Sequence, residues 1–233
     1  MNDEGGGTRG GAVEAVRRRT VKPKGERRQD ILEAALELFV ENGFEDTTVQ
    51  EIAARAGVAA GTVYLYFGSK REVLLGLHEE FHQGMEERFL ETTGDFFARR
   101  EGGQDLDYTV AIDAALDSMV AYSMEHRTAC EVIARHLSQA GLTDEAMLAE
   151  RRFADFLARA FETGVEEGLI HTSDPQMAAY LLSAAVSFTL GRAIAYGDPP
   201  DLDRLVAQAK ELYHKALAPP GRLPAGGSSD HDG

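Results

Sequence analysis

Between Thr47 and Lys70 the chain reads TTVQEIAARAGVAAGTVYLYFGSK: two helices too short to stand alone, joined by a turn that leaves few ways to pack them. Thr48-Val49-Gln50-Glu51 is a capping box, in which a hydroxyl and a carboxylate three residues apart satisfy free amides at a helix start. Val49, Ile52 and Ala53 then share one face. Ala56-Gly57-Val58 makes the turn: glycine allows the reversal, and valine supplies an apolar plug between the helices. The second helix, Ala59 to Phe67, carries Ala59, Ala60, Gly61, Thr62, Tyr64 and Tyr66, all small or able to donate a hydrogen bond. Small residues let a helix lie deep in the DNA major groove, and Thr and Tyr hydroxyls can donate to phosphate oxygens. Ser69-Lys70-Arg71-Glu72 repeats the capping box and opens a longer helix, placing the Lys70 charge at a helix N-terminus, where it adds to the dipole in attracting phosphate.

The charge distribution agrees with a polyanionic partner. The net charge is -15 over 233 residues, yet from Arg9 to Arg28 eight Lys/Arg face only Glu14 and Glu26. Residues 1–71 hold 11 basic and 11 acidic residues, so residues 72–233, with 13 basic and 28 acidic, carry the whole negative balance. A basic end on an acidic body suits a chain that offers that end to nucleic acid.

The rest reads as a string of helices. Residues 1–25 are rich in Gly and Arg and read as a disordered basic arm. From about Glu26, Ile31, Ala34, Ala35, Leu38 and Phe39 recur at helical spacing until Gly43. Beyond Ser69 one helix runs to about Arg100, with a break at Gly102-Gly103. Further helices are expected from about Asp107 to His126, Thr128 to Gln139, Thr143 to Gly168, Pro175 to Tyr196 and Asp201 to Leu217. Asp174-Pro175 pairs an N-cap acid with proline at the first helical position. Residues 219–233 read as a flexible tail. With no alternating strand pattern the fold class is all-α: a three-helix helix-turn-helix domain over 26–71, then a larger helical domain over 72–218.

The segment from Arg28 to Lys70 resembles the DNA-binding domain of the tetracycline-repressor (TetR) family. The resemblance is carried by Arg28-Gln29-Asp30-Ile31-Leu32-Glu33-Ala34-Ala35-Leu36-Glu37-Leu38-Phe39, Gly43-Phe44, Thr47-Thr48-Val49, Ile52-Ala53, Ala56-Gly57-Val58, Gly61-Thr62-Val63-Tyr64, Tyr66-Phe67 and Ser69-Lys70. Glu167-Gly168-Leu169-Ile170 followed by Asp174-Pro175 and Ala178-Ala179 is similar to the approach to that family's penultimate helix. The resemblance implies a ligand-responsive transcriptional regulator, by default a repressor, that binds a palindromic operator as a homodimer in the cytoplasm and is released by a small-molecule effector. Ala59 to Phe67 would be the recognition helix. Thr48, Thr62, Tyr64, Tyr66 and Lys70 would meet phosphates, and Ala59, Ala60 and Gly61 would face base edges. Ala59-Ala60 departs from the polar pair common in the family and offers methyl contacts to thymine but no hydrogen bonds, so readout would lean on Thr62, Tyr64, DNA shape, or the arm residues Lys24, Arg27 and Arg28 entering a minor groove.

The resemblance also implies that about 175–217 forms the dimer interface. The helix from Pro175 permits it, with Met177, Leu181, Ala184 and Phe188 on one apolar face and Tyr180, Ser187, Leu190 and Ile194 on another. The preceding helices would enclose a largely apolar effector, with Phe89, Phe96, Met119, Tyr122, Ile133, His136, Phe153, Phe156 and Phe188 as candidate lining residues. No catalytic residue, metal or cofactor is assigned. The chain opens without a signal-peptide pattern, and Met177 to Leu190, interrupted by Ser183, Ser187 and Thr189, is expected to fall short of a membrane span. Lone Cys130 excludes an internal disulfide and reads as a core residue.

Two alternatives stand beside this reading. His78-Glu79-Glu80-Phe81-His82 matches H-E-x-x-H on a helix, the pattern of zinc hydrolases, and the same pair could serve a metal sensor. Met85 and Arg88 occupy the positions where the extended form needs Gly and His. The second alternative is a helical adaptor that binds no DNA, opposed by the basic arm and the Thr47–Lys70 block.

Overall fold

A computed structural model describes residues 24–104, 107–137, 140–197 and 201–219. The expected arm up to residue 23 and the tail from 220 lie outside the described residues. Among the described residues all regular structure is helical: α1 (Lys24–Asn42), α2 (Val49–Arg55), α3 (Ala60–Tyr66), α4 (Lys70–Glu101), α5 (Tyr108–Glu125), α6 (Arg127–His136), α7 (Thr143–Glu166), α8 (Pro175–Tyr196) and α9 (Leu202–Leu217). α1 begins at Lys24, so the last two residues assigned to the arm are helical.

Side-chain caps set the helix starts. Asp174 Oδ1 accepts the Met177 amide at 3.0 Å with Pro175 in the first turn, and Asp201 Oδ1 accepts the Arg204 amide at 2.9 Å. α8 ends on Gly197 in the left-handed region at φ 64°, a conformation glycine adopts without a Cβ clash.

Four apolar clusters form the interior. Ile31, Leu32, Ala35, Phe39, Ile52, Val63, Val73 and Leu74 fuse α1–α3 with the start of α4. Val132, Ala140 and Leu142 belong to the same cluster, so the end of α6 and the following turn are part of the helix-turn-helix core. Met85, Phe89, Met119, Phe153 and Leu157 join α4, α5 and α7. Phe96, Leu116, Leu169, Tyr213 and Leu217 close the far end around α9, where the His171 amide donates to the Leu217 carbonyl at 2.9 Å. Cys130, Leu190 and Ile194 seal α6 against α8.

Two glycines on α4 mark close crossings. A Cβ on Gly76 would stand 2.7 Å from Phe67 Cε1, and one on Gly84 would overlap the Tyr122 hydroxyl. α4 thus lies hard against the end of α3 at one point and against α5 at another.

α8 corrects one expectation. It is 22 residues long with mean hydropathy 1.4 over its most apolar window, enough by length and composition to cross a bilayer, and 28% of that window is buried within the chain. The hydroxyls of Ser183 and Thr189 donate to carbonyls of their own helix, and Ser183 is buried, so these residues interrupt the apolar run without breaking the helix.

Candidate functional site

The Thr48 hydroxyl accepts the Glu51 amide at 3.2 Å, and the Thr48 amide donates to Glu51 Oε2 at 2.8 Å. The Thr48 hydroxyl also donates to Glu51 Oε2 at 2.8 Å, and this bond, with that from the Thr48 amide, holds the Glu51 carboxyl below the usual carboxylate range. Thr47 is buried and donates to the Gly43 and Leu38 carbonyls, fixing the end of α1 to the start of α2. In the turn Gly57 sits at φ 66°, the Val58 amide donates to Ala53 at 2.9 Å, and the Val58 side chain packs on the first cluster. Arg55 bridges back to Glu37 and Glu41 of α1 at 2.9 and 2.7 Å.

α3 buries Val63, with Phe67 buried just past its end, and turns the opposite side outward. Thr48, Ala59, Gly61 and Tyr64 are exposed, and Thr62 is half-buried. Ala60 and Tyr66 depart from expectation: both are half-buried and packed on the first cluster, because they share the inward side with Val63. Leu65 is 81% exposed on the outward side, a position absent from the candidates the sequence offers. The signal was present, since Val63 and Phe67 already occupy the core face at i, i+4 and the residue midway between them must point away.

Lys70 and Arg28 are engaged within the chain. The Lys70 ammonium donates to the Phe44 and Glu45 carbonyls at 2.5 and 2.8 Å and stands 4.5 Å from the Phe44 ring centre. Two of its three protons are therefore committed, leaving one for a phosphate. Arg28 lies over the Phe67 ring at 5.4 Å and reaches Glu79 and Glu80 of α4 at 3.8 and 3.7 Å. Its neighbour Gln29 donates to Glu80 at 2.9 Å. Arg27 is half-buried on the first turns of α1.

The expected pocket divides. Phe89, Phe96 and Phe156 line an apolar cavity of about 420 Å³ among α4, α5, α7 and α9. Ile133 and Phe188 line another of about 800 Å³ among α4, α5, α6, α7 and α8. Met119 lines both. Phe153 faces a third groove, between α7 and α8. Tyr122 and His136 line none of these cavities and are corrected. Tyr122 is packed between Phe81, Arg88 and His126 at 5.4, 5.9 and 4.3 Å, and His136 stacks on Phe44.

The H-E-x-x-H pattern does not assemble a hydrolytic site. His78 and His82 share one face and are buried, whereas Glu79 points to Arg28 and Arg152 at 3.8 and 4.0 Å. Among the described residues no third His, Cys, Asp or Glu joins the pair as a metal ligand.

Residues 31–77 match the family model described as bacterial regulatory proteins, tetR family. The chain is 31% identical to the HTH-type transcriptional regulator SrpR of Pseudomonas putida, over 65% of this chain and 67% of that one. It is 32% identical to the uncharacterized HTH-type transcriptional regulator TtgW, also of Pseudomonas putida, over 60% of this chain and 98% of the relative. Among solved structures, the SmeT–triclosan complex superposes with a TM-score of 0.61 at 26% identity, covering 84% of this chain and 93% of that one.

Proposed function

Because this chain belongs to the TetR family of bacterial transcriptional regulators, we propose that it is a ligand-responsive repressor acting as a homodimer on a palindromic operator. The observation that carries this reading is the outer side of α3. Ala59, Gly61, Tyr64 and Leu65 stand exposed on a helix whose other side is locked into the core. Such a surface, small at its start and apolar at Leu65, suits contact with thymine methyls, while Thr48, Thr62, Tyr64 and the remaining Lys70 proton address phosphates. In this reading Lys24, Arg27 and Arg28 supply positive charge to the same DNA.

A second copy covers α8 in this reading. Met177, Leu181 and Phe188 are exposed on the same stripe, and Tyr180 beside them, so dimerisation rather than a bilayer accounts for the apolar surface. Two recognition helices would then stand about 34–36 Å apart, one turn of DNA. A DNA-binding dimer of this kind works in the cytoplasm and controls transcription by occupancy, without catalysis.

Release follows from linkage. The SmeT complex holds triclosan, and the two cavities of this chain, about 420 and 800 Å³, lie within the size range of small-molecule sites, roughly 300–1,000 Å³. α4 walls both cavities and α6 the larger one, and both helices grip the DNA-binding domain. α4 holds Arg28 and Gln29 through Glu79 and Glu80. Arg71 donates to the Gly141 carbonyl at 2.7 Å, and His136 stacks on Phe44. A ligand that prefers one setting of α4 and α6 shifts the population of DNA-competent dimers. Selection of bound duplexes from a random pool, then affinity against salt, is the test. A palindromic consensus with a steep salt slope is expected; weak binding with no enriched sequence would overturn the assignment.

A further inference from the structure

Met85, Met119, Ser123, Cys130 and Ile133 line the cavity of about 800 Å³ from α4, α5 and α6, and all five are buried. Every lining residue from those three helices is buried or half-buried. The exposed part of the wall comes from α7 and α8 alone: Met147 and Glu150 on one, Phe188, Arg192 and Tyr196 on the other. The cavity therefore opens along the outer edge of α8. Arg192 lies over the Phe188 and Tyr196 rings, 5.8 Å from each centre, so contacts within the chain already shape the rim.

The same edge carries the outward stripe of α8. Phe188 is 68% exposed and continues Met177 and Leu181, and Arg192 and Tyr196 follow it at four-residue steps, on one helix face. Arg192 is the one charged residue among the 22 of α8, a composition at odds with a face left in water. Along the α7–α8 seam the cavity adjoins a groove with which it shares His82, Met147, Glu150 and Ser187, and that groove reaches Met177 and Tyr180. In a two-fold dimer one patch meets the same patch of the other copy. A helix seated on Leu181 and Phe188 then also lies across the opening. The net charge of -15 opposes the other apolar cover, a bilayer with an anionic surface.

We propose that the larger cavity is a composite site, walled by one protomer and roofed by α8 of its partner, so that a molecule inside it touches both subunits. The proposal rests on the dimer reading and specifies how the site is regulated. Molecules enter and leave when the subunits part. By linkage, a molecule that gains contacts from the roof strengthens the dimer that encloses it. What fills the cavity then bears directly on the spacing of the two recognition helices, besides any tilt of α4.

Cys130 is the only cysteine of the chain and lines this cavity, so the rate at which 4,4′-dithiodipyridine labels it measures access. The full-length protein is labelled at about pH 8.5 over a dilution series through its dimer–monomer transition, beside the Leu181→Arg variant, with sedimentation of the same samples. Labelling per chain is expected to be at least about tenfold faster in the monomer, with amide exchange of α6 unchanged. Met177→Arg, on the same stripe and outside the cavity wall, replaces Leu181→Arg if that variant does not fold. Equal labelling of monomer and dimer, or an acceleration matched by faster α6 exchange, overturns the roof and leaves the dimer standing. Variants that remain dimeric with Cys130 still shielded, or a parent that is monomeric throughout, overturn the α8 interface and the roof with it. Shielding that appears only with phosphatidylglycerol vesicles assigns the face to a bilayer and overturns both.

Discussion

His136 at the end of α6 stacks on Phe44 in the turn after α1, ring centroids 6.1 Å apart and planes 28° from parallel. The same Phe44 ring lies beneath the Lys70 ammonium, so one aromatic side chain receives both α6 and the start of α4. A double-mutant cycle of His136→Ala and Phe44→Leu is expected to give a coupling of about 0.5–1.5 kcal/mol by urea denaturation. Purely additive losses would mean the two rings are neighbours without mutual stabilisation.

Thr48→Ala removes the cap of α2. Stability is expected to fall by about 1 kcal/mol, read as an earlier thermal midpoint, with Thr48→Ser close to the parent. A parent-like midpoint for the alanine variant would show that tertiary packing alone holds α2.

Gly84→Ala forces a methyl into the Tyr122 side chain. The expected cost is about 1–3 kcal/mol, and Tyr122→Leu in the same chain should recover part of it by clearing the hydroxyl and ring edge. Urea midpoints of the single and double variants decide; a further loss in the double variant would place the strain elsewhere.

Folded His78 and His82 titrate near 3 and 4, below the ordinary histidine value of 6.5. The unfolded chain therefore binds more protons than the folded one as pH falls below about 6.5. The stability that neutral burial confers is complete above 6.5 and is lost progressively towards pH 4. Denaturation midpoints between about pH 6.5 and 4.5, above the main carboxylate range, should decline with falling pH, and the His78→Leu/His82→Leu variant should flatten that slope. An unchanged slope would show that the rings are solvated in solution.

Leu181→Arg puts a charge on the outward face of α8, where Leu181 is 60% exposed. Sedimentation should shift from dimer to monomer, and operator affinity should fall at least about tenfold while helical content is kept. A dimer that survives would move the interface off this face.

Helix identity and most boundaries were legible in the sequence because periodicity and caps are local properties. Asp174-Pro175 and Asp201 mark starts that their own side chains make. The stripe Met177, Leu181 and Phe188 was legible as one apolar face of α8 for the same reason, while which of its two faces turns outward depends on packing. What the sequence did not disclose depends on crossings between helices. Tyr122 and His136 have the size and polarity of pocket residues, and only the approach of α5 to Gly84 and of α6 to Phe44 takes them elsewhere. Arg28 reads as an arm residue bound for a minor groove until α4 brings Glu79 and Glu80 to it. The His78 and His82 pair reads as either a zinc site or a solvated one, because the helices that bury it lie far away in the chain.

α4 runs unbroken for 32 residues, about 48 Å at a rise of about 1.5 Å per residue. A rod of that length converts a tilt of about 3° into ~2.5 Å at one end, comparable with the difference between a seated and a lifted phosphate contact. It transmits an angle and nothing about the shape of whatever set it. Side chains at the cavity end can therefore diversify towards new molecules while those at the Lys70 end keep the same response, so chemical sensing and DNA response can evolve as separate traits.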